Sequence, residues 1–249
     1  MSDSTLSISG GSIFDGQTAA QSNTTYSAGT SKTNDSVVLS GGSLTNIGLN
    51  TGAGEDTLVI DTILTADRTA PKDFWSLRLG GQNDIGTFNS SIAGYNVQAS
   101  GGDDTLVING PSTNTVFSGG QGSDLLVVNG VFAGGQIAAT GAVAGGPTNT
   151  QINDGADTIV LDDATKVTGV LINQFSITGS AGNTDTLIIG TATGDITITA
   201  ADFAGSGAVA GTYGKAGGTF GSILNTANNA DIAALNDWLT AGSNRITLI

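Results

Sequence analysis

"SGGQGSDLLVVNG", residues 118–130, sets a glycine-rich turn carrying one aspartate against a run of four aliphatic residues and closes on Asn-Gly. The same phrase returns along the chain. "NDSVVLSGG" (34–42), "GEDTLVIDT" (54–62), "GDDTLVING" (102–110), "GSDLLVVNG" (122–130), "GADTIVLDD" (155–163) and "NTDTLIIGT" (183–191) each offer an Asp, often then Thr or Ser, an apolar run and a turn. A shorter relative, "GDITITAAD" (194–202), follows them. Self-similarity of this kind has to be read before secondary structure, because it sets the architecture.

The anchoring aspartates are Asp35, Asp56, Asp104, Asp124, Asp157 and Asp185, separated by 21, 48, 20, 33 and 28 residues. A spacing near 20 suits one turn of a parallel β-solenoid, and the longer gaps read as turns with insertions or as two turns with one degenerate anchor. A second, weaker strand precedes each glycine turn, as in "YNVQASGG" (95–102) and "NTVFSGGQG" (114–122). Unbroken runs such as "LVI" and "LLVV" fit strands sandwiched between neighbours, where a hairpin strand open on one face should alternate. Asn-Gly at 109–110 and 129–130 suits corners that need positive φ. These features predict an all-β fold, a parallel, right-handed β-solenoid.

A short capping helix is expected near the C-terminus. In "NNADIAALNDWLTAG" (228–242), Ile232, Leu235, Trp238 and Leu239 share one helical face, with Asn229 or Asp231 as N-cap and Gly242 as terminator. The solenoid is therefore expected over 1–203, with a glycine-rich loop, cap and last strand over 204–249. Residues 63–95 break the rhythm and read as an insertion. They hold Arg68, Lys72 and Arg78 beside Phe74 and Trp75, and these five are the expected partner-contact residues, since Trp and Arg are enriched at interfaces. Aromatics packing back onto the solenoid wall would explain the same cluster.

Composition narrows function by exclusion. The chain has 249 residues, 39 of them Gly, with no Cys and no His. There is thus no disulfide framework, no thiolate or imidazole metal ligand, and no Ser-His-Asp or Cys-His chemistry. Seven Lys and Arg against 21 Asp and Glu give a net charge of −14, which repels nucleic acid and anionic membranes. No apolar run approaches the ~20 residues of a membrane span, and the first residues lack the basic and apolar regions of a Sec signal.

"SGGQGSDLL" (118–126) resembles the G-G-x-G-x-D-x-U-x nonapeptide of RTX proteins, matching at Gly119, Gly120, Gly122, Asp124 and Leu126. "TGAGEDTLV" (51–59) and "SGGDDTLV" (100–107) match in part. The resemblance implies Ca2+ between stacked turns, with Asp56, Asp104 and Asp124 as ligands. Turn chemistry would place the same aspartates at the corners without metal. Acid pairs for glycosidic catalysis would be Asp103/Asp104 or Asp162/Asp163, and an ice-binding threonine array is approached by "DITITA" (195–200).

Taken together, the residues point to a non-enzymatic structural building block of an extracellular or virion assembly, with self or other structural subunits as partners. The alternative expectation is a type I-secreted, RTX-like calcium-binding surface protein or adhesin.

Overall fold

The structure, a computed structural model, describes residues 4–9, 24–27, 32, 34–66, 75–140, 155–176, 184–199, 211–214, 235 and 237–248. These residues are all-β in character, with one large, mostly parallel sheet and almost no helix. Three series of strands build it. The first starts at the anchors and includes Asp35–Thr45, Thr57–Thr65, Ile85–Phe88, Thr105–Ile108, Leu125–Val128, Thr158–Leu161 and Thr186–Thr191. The second includes Ile47–Asn50, Ser76–Gly81, Asn96–Gly101, the later parts of Ser112–Gln121 and Phe132–Thr140, and Leu171–Phe175. A short third series links them, with Ile92–Ala93 and Val167–Thr168 among its members.

Register follows the repeat. Thr105 pairs in parallel with Ile85 in the preceding repeat and with Leu125 in the next. Aliphatic columns result. Leu58, Leu106, Leu126, Ile159 and Leu187 are all fully buried, as are Leu77, Val97, Phe117, Ile137 and Ile172 in the second series. Burying one such side chain contributes about 1.5–3 kcal/mol, and a lone repeat has nothing to bury it against. Phe117 sits edge-on to both Phe88 at 5.3 Å and Phe132 at 5.9 Å, joining the three series in one core.

The bend from third to second series is left-handed in the five repeats where it is described: Asn46 has φ 57°, Gly94 79°, Asn114 49°, Gly134 67° and Gly169 65°. Asn and Gly are the residues that tolerate this conformation.

Several expectations change. The 48-residue gap between Asp56 and Asp104 holds a complete repeat anchored by Asp84, so most of the proposed insertion over 63–95 belongs to the regular ladder. "LVI" and "LLVV" are not sandwiched: Val59, Val107 and Val127 point outward and stay half exposed, while their neighbours point into the core. Gly110 and Gly130 lie outside the left-handed region. Their need is space, since a Cβ on Gly130 would fall 2.4 Å from the Gly110 carbonyl oxygen below it. "GDITITAAD" adds no parallel repeat, because Gly194–Ile198 folds back antiparallel on Thr186–Thr191.

At the C-terminal end, residues 235 and 237–241 are helical, with Leu235, Trp238 and Leu239 buried; Asn229, Asp231 and Ile232 lie outside the described residues. Asn244 ties this cap to the repeat anchored by Asp157. Its Oδ1 accepts the Val170 N–H at 3.0 Å, and its Nδ2 donates to the Val167 and Trp238 carbonyls, each at 3.2 Å. Arg245–Leu248 then pairs in parallel with Leu171–Phe175 and antiparallel with Gly211–Gly214.

Candidate functional site: the aspartate ladder

In a parallel ladder the N–H groups of successive residues point alternately to the preceding and to the following strand. At the corner before each first-series strand, both kinds of N–H must find side-chain acceptors. The sequence supplies two columns for this, of opposite polarity.

The anchors form the first column, and each donates its own N–H to the carboxylate of the next anchor. Asp35 N–H reaches Asp56 Oδ1 at 2.8 Å, Asp56 reaches Asp84 at 2.7 Å, and Asp84 reaches Asp104 at 2.7 Å. Asp104 reaches Asp124 at 2.9 Å, Asp124 reaches Asp157 at 2.8 Å, and Asp157 reaches Asp185 at 3.0 Å. All seven anchors are buried. The column ends on Asp185, whose Oδ2 accepts the Ser176 N–H at 2.7 Å.

The residues just before the anchors run the other way. Asn34 Oδ1 accepts from Glu55 N–H, Asn83 Oδ1 from Asp103 N–H, Asp103 Oδ1 from Ser123 N–H and Ser123 Oγ from Ala156 N–H, all within 2.8–3.2 Å. Five residues beyond the anchors a third column is exposed. Asn129 donates its amide to Asn109, Asn109 to Asn89, and Asn89 to Asp61, each at 2.8 Å. Replacing Asn109 with alanine removes two of these bonds, and with a net worth near 1 kcal/mol for such bonds the melting temperature should fall by ~3 °C in a thermal melt monitored by circular dichroism.

Electrostatically the buried column is under tension. Burial pushes the carboxyls of Asp84 and Asp104 up to about 7, outweighing the backbone N–H each accepts, and the neighbouring carboxylate adds to the rise. Burial raises Asp56 as well. In Asp84 and Asp104 the Oδ2 is buried without a hydrogen-bond partner. Asp163 goes the opposite way: the Thr165 hydroxyl and N–H hold its exposed carboxyl below the usual range as it caps the 3-10 turn Ala164–Lys166.

The structure thus brings Asp56, Asp104 and Asp124 into one column but not into one cage. Asp84 lies between the first two, and among the described residues no three acidic side chains converge to hold a metal ion. Of the acid pairs considered for catalysis, Asp103 and Asp104 serve different ladders and Asp163 caps a turn.

For the expected contact cluster, Trp75 is only 8% exposed and packs in the core, so it presents no surface to a partner, whereas Arg78 is exposed on Ser76–Gly81. Arg68, Lys72 and Phe74 lie outside the described residues. The residue missed by sequence reasoning is Asp84. No family model, curated protein or solved structure matches this chain.

Proposed function

We propose that this chain is a non-enzymatic structural building block of an extracellular or virion assembly, and that its parallel ladder closes into a right-handed β-solenoid. The observation that carries the reading is the employment of its acidic and amide side chains. From Asp56 to Asp185 the buried carboxylates accept backbone N–H groups of the neighbouring repeat, which is the work of a scaffold. Right-handedness rests on the strong preference of parallel crossovers. Electron microscopy of the purified protein should show ordered particles, fibres or sheets. A dispersed monomer at every concentration overturns the reading.

A second reading keeps calcium, as in an RTX-like surface protein or adhesin, and it draws on the buried Oδ2 atoms of Asp84 and Asp104. A cation bound only by the folded state at 100 times its Kd would add about 2.7 kcal/mol. Calcium at neutral pH should then raise the melting temperature by ~8 °C and chelation should reverse it. Equal melts with calcium and with chelator rule this reading out.

A further inference from the structure

We infer that the outward face of the first strand series is a self-association surface, on which a second copy of this chain packs sheet against sheet; this rests on the building-block reading and names the interface.

The face differs from the rest of the exterior. One position beyond the anchors stand Thr57, Ile85, Thr105, Leu125, Thr158 and Thr186, held in register by the parallel pairing. Ile85 is 50% and Leu125 36% exposed, two of the four large apolar residues that are exposed among the described residues. Two positions further, Val59, Thr87, Val107, Val127, Val160 and Ile188 form a second, half-buried column. Neither column carries a charge.

β-Propensity alone would favour such residues on any strand. The matching outward column of the second series argues against that as the full account, because it reads Asn50, Arg78, Gln98, Ser118, Ala138 and Asn173. There Ser118 and Ala138 are already buried within the chain, whereas no residue of the two first-series columns is. One side of the stack is therefore polar and partly covered, and the other carries uncharged threonine and aliphatic residues, with Ile85 and Leu125 exposed.

Size and shape fit a second copy. Seven repeats at ~4.8 Å give a length of ~29 Å, and the six residue steps from the column before the anchors to the asparagine column give ~20 Å. The product is ~600 Å² per copy, or ~1,200 Å² buried in total, within the range of specific interfaces. Aligned packing of two sheets about 10 Å apart brings together uncharged faces whose side chains interdigitate. A two-fold axis across the stack lays the column from Val59 to Ile188 on its counterpart, so the surface is self-complementary.

The rims are acidic. Glu55 and Asp103 flank one side and Asp61 and Asp162 the other, all exposed. Two copies bring like charges together, so salt must strengthen the contact. Sedimentation equilibrium of the purified full chain tests this. The dimer Kd should tighten about tenfold from low to high NaCl as rim repulsion is screened. V107D with V127D should weaken it about a hundredfold, because four unpaired carboxylates would enter the interface. Q98D, on the other face, should leave it unchanged. If the double aspartate variant fails to fold, T105R with T158R, at half-exposed positions, supplies the same test.

Assembly that persists in the face variants, or that weakens with salt, overturns this surface and leaves the building-block reading standing. A wild type that is monomeric at every salt and concentration overturns both.

Discussion

Lowering the pH from 8 to 5 is expected to raise the melting temperature by ~10 °C, the reverse of ordinary acid destabilisation. The sign follows from the ladder. Asp84 and Asp104 hold their protons up to about 7 in the folded chain, whereas the unfolded chain releases them near the ordinary aspartate value of 3.8. Between those two values the folded state binds more protons than the unfolded one. Stability is therefore full below the lower value, declines as pH rises towards 7, and is level above it. Each group fully shifted would lose about 1.4 kcal/mol per pH unit across that window, and sharing of protons between neighbours reduces the sum to ~3 kcal/mol over the range tested. Relief of self-repulsion among the exposed carboxylates acts in the same direction. Differential scanning calorimetry across pH 5 to 8 checks the slope. D104N keeps an Oδ1 acceptor for the Asp84 N–H but cannot ionise, so it should flatten roughly half of the dependence. A melting temperature that rises with pH, or a D104N profile parallel to wild type, contradicts the buried-acid account.

The strand order was legible wherever an anchor was followed by an aliphatic run, because the core columns need one branched or large residue at each step. Asp84 escaped notice for a reason of volume. It stands in "DIGTF", with Gly86 where the other repeats put Leu, Ile or Val. The space is filled from neighbours: a Cβ on Gly86 would meet Leu106 Cδ2 at 2.8 Å and the Phe88 ring at 3.3 Å. The volume is conserved across three residues while the pattern at one is lost. The polar columns carry the better signal there, since Asn83 precedes the anchor and Asn89 follows it by five, as Asp103 and Asn109 do for Asp104.

Outward and inward residues were harder to separate. Val107 and Leu106 are equally apolar, so composition alone suggested a strand covered on both faces, yet only Leu106 is fully buried. The difference lies in chemistry outside the strand, namely whether another layer exists to cover it. Trp75 shows the converse. An aromatic beside basic residues suggested a contact site, but a ring that size at the start of a strand is drawn into the core of its own repeat. The ladder itself could be suspected from the recurrence of Asp, but not its direction. That depends on which strand each N–H faces, and hence on the parallel pairing.

The repeats stack very closely at the glycine turn, and Gly120 is one of the positions that shows it. Gly120 has φ 124°, and a Cβ there would fall 2.2 Å from the carbonyl oxygen of Ser100, its register partner in the preceding repeat. G120A must therefore accept a disfavoured backbone conformation and also push two repeats apart. Strain and overpacking each cost ~1–3 kcal/mol, so a loss near 3 kcal/mol and a fall of ~10 °C in melting temperature are expected. Ser100 already occupies the same conformation, at φ 93°, with a side chain that resists it. S100G should then gain ~1 kcal/mol by relieving strain, although added freedom of the unfolded chain subtracts part of it. Gly101, the next residue, provides the control. It lies outside the left-handed region and nothing stands within 4 Å of an added Cβ, so G101A should be neutral or stabilising by up to ~1 kcal/mol. The order S100G at or above wild type, G101A level or above, and G120A far below follows only if close stacking of repeats sets the stability of this corner. Equal losses at Gly101 and Gly120 in a urea titration would mean that glycine serves there through flexibility instead.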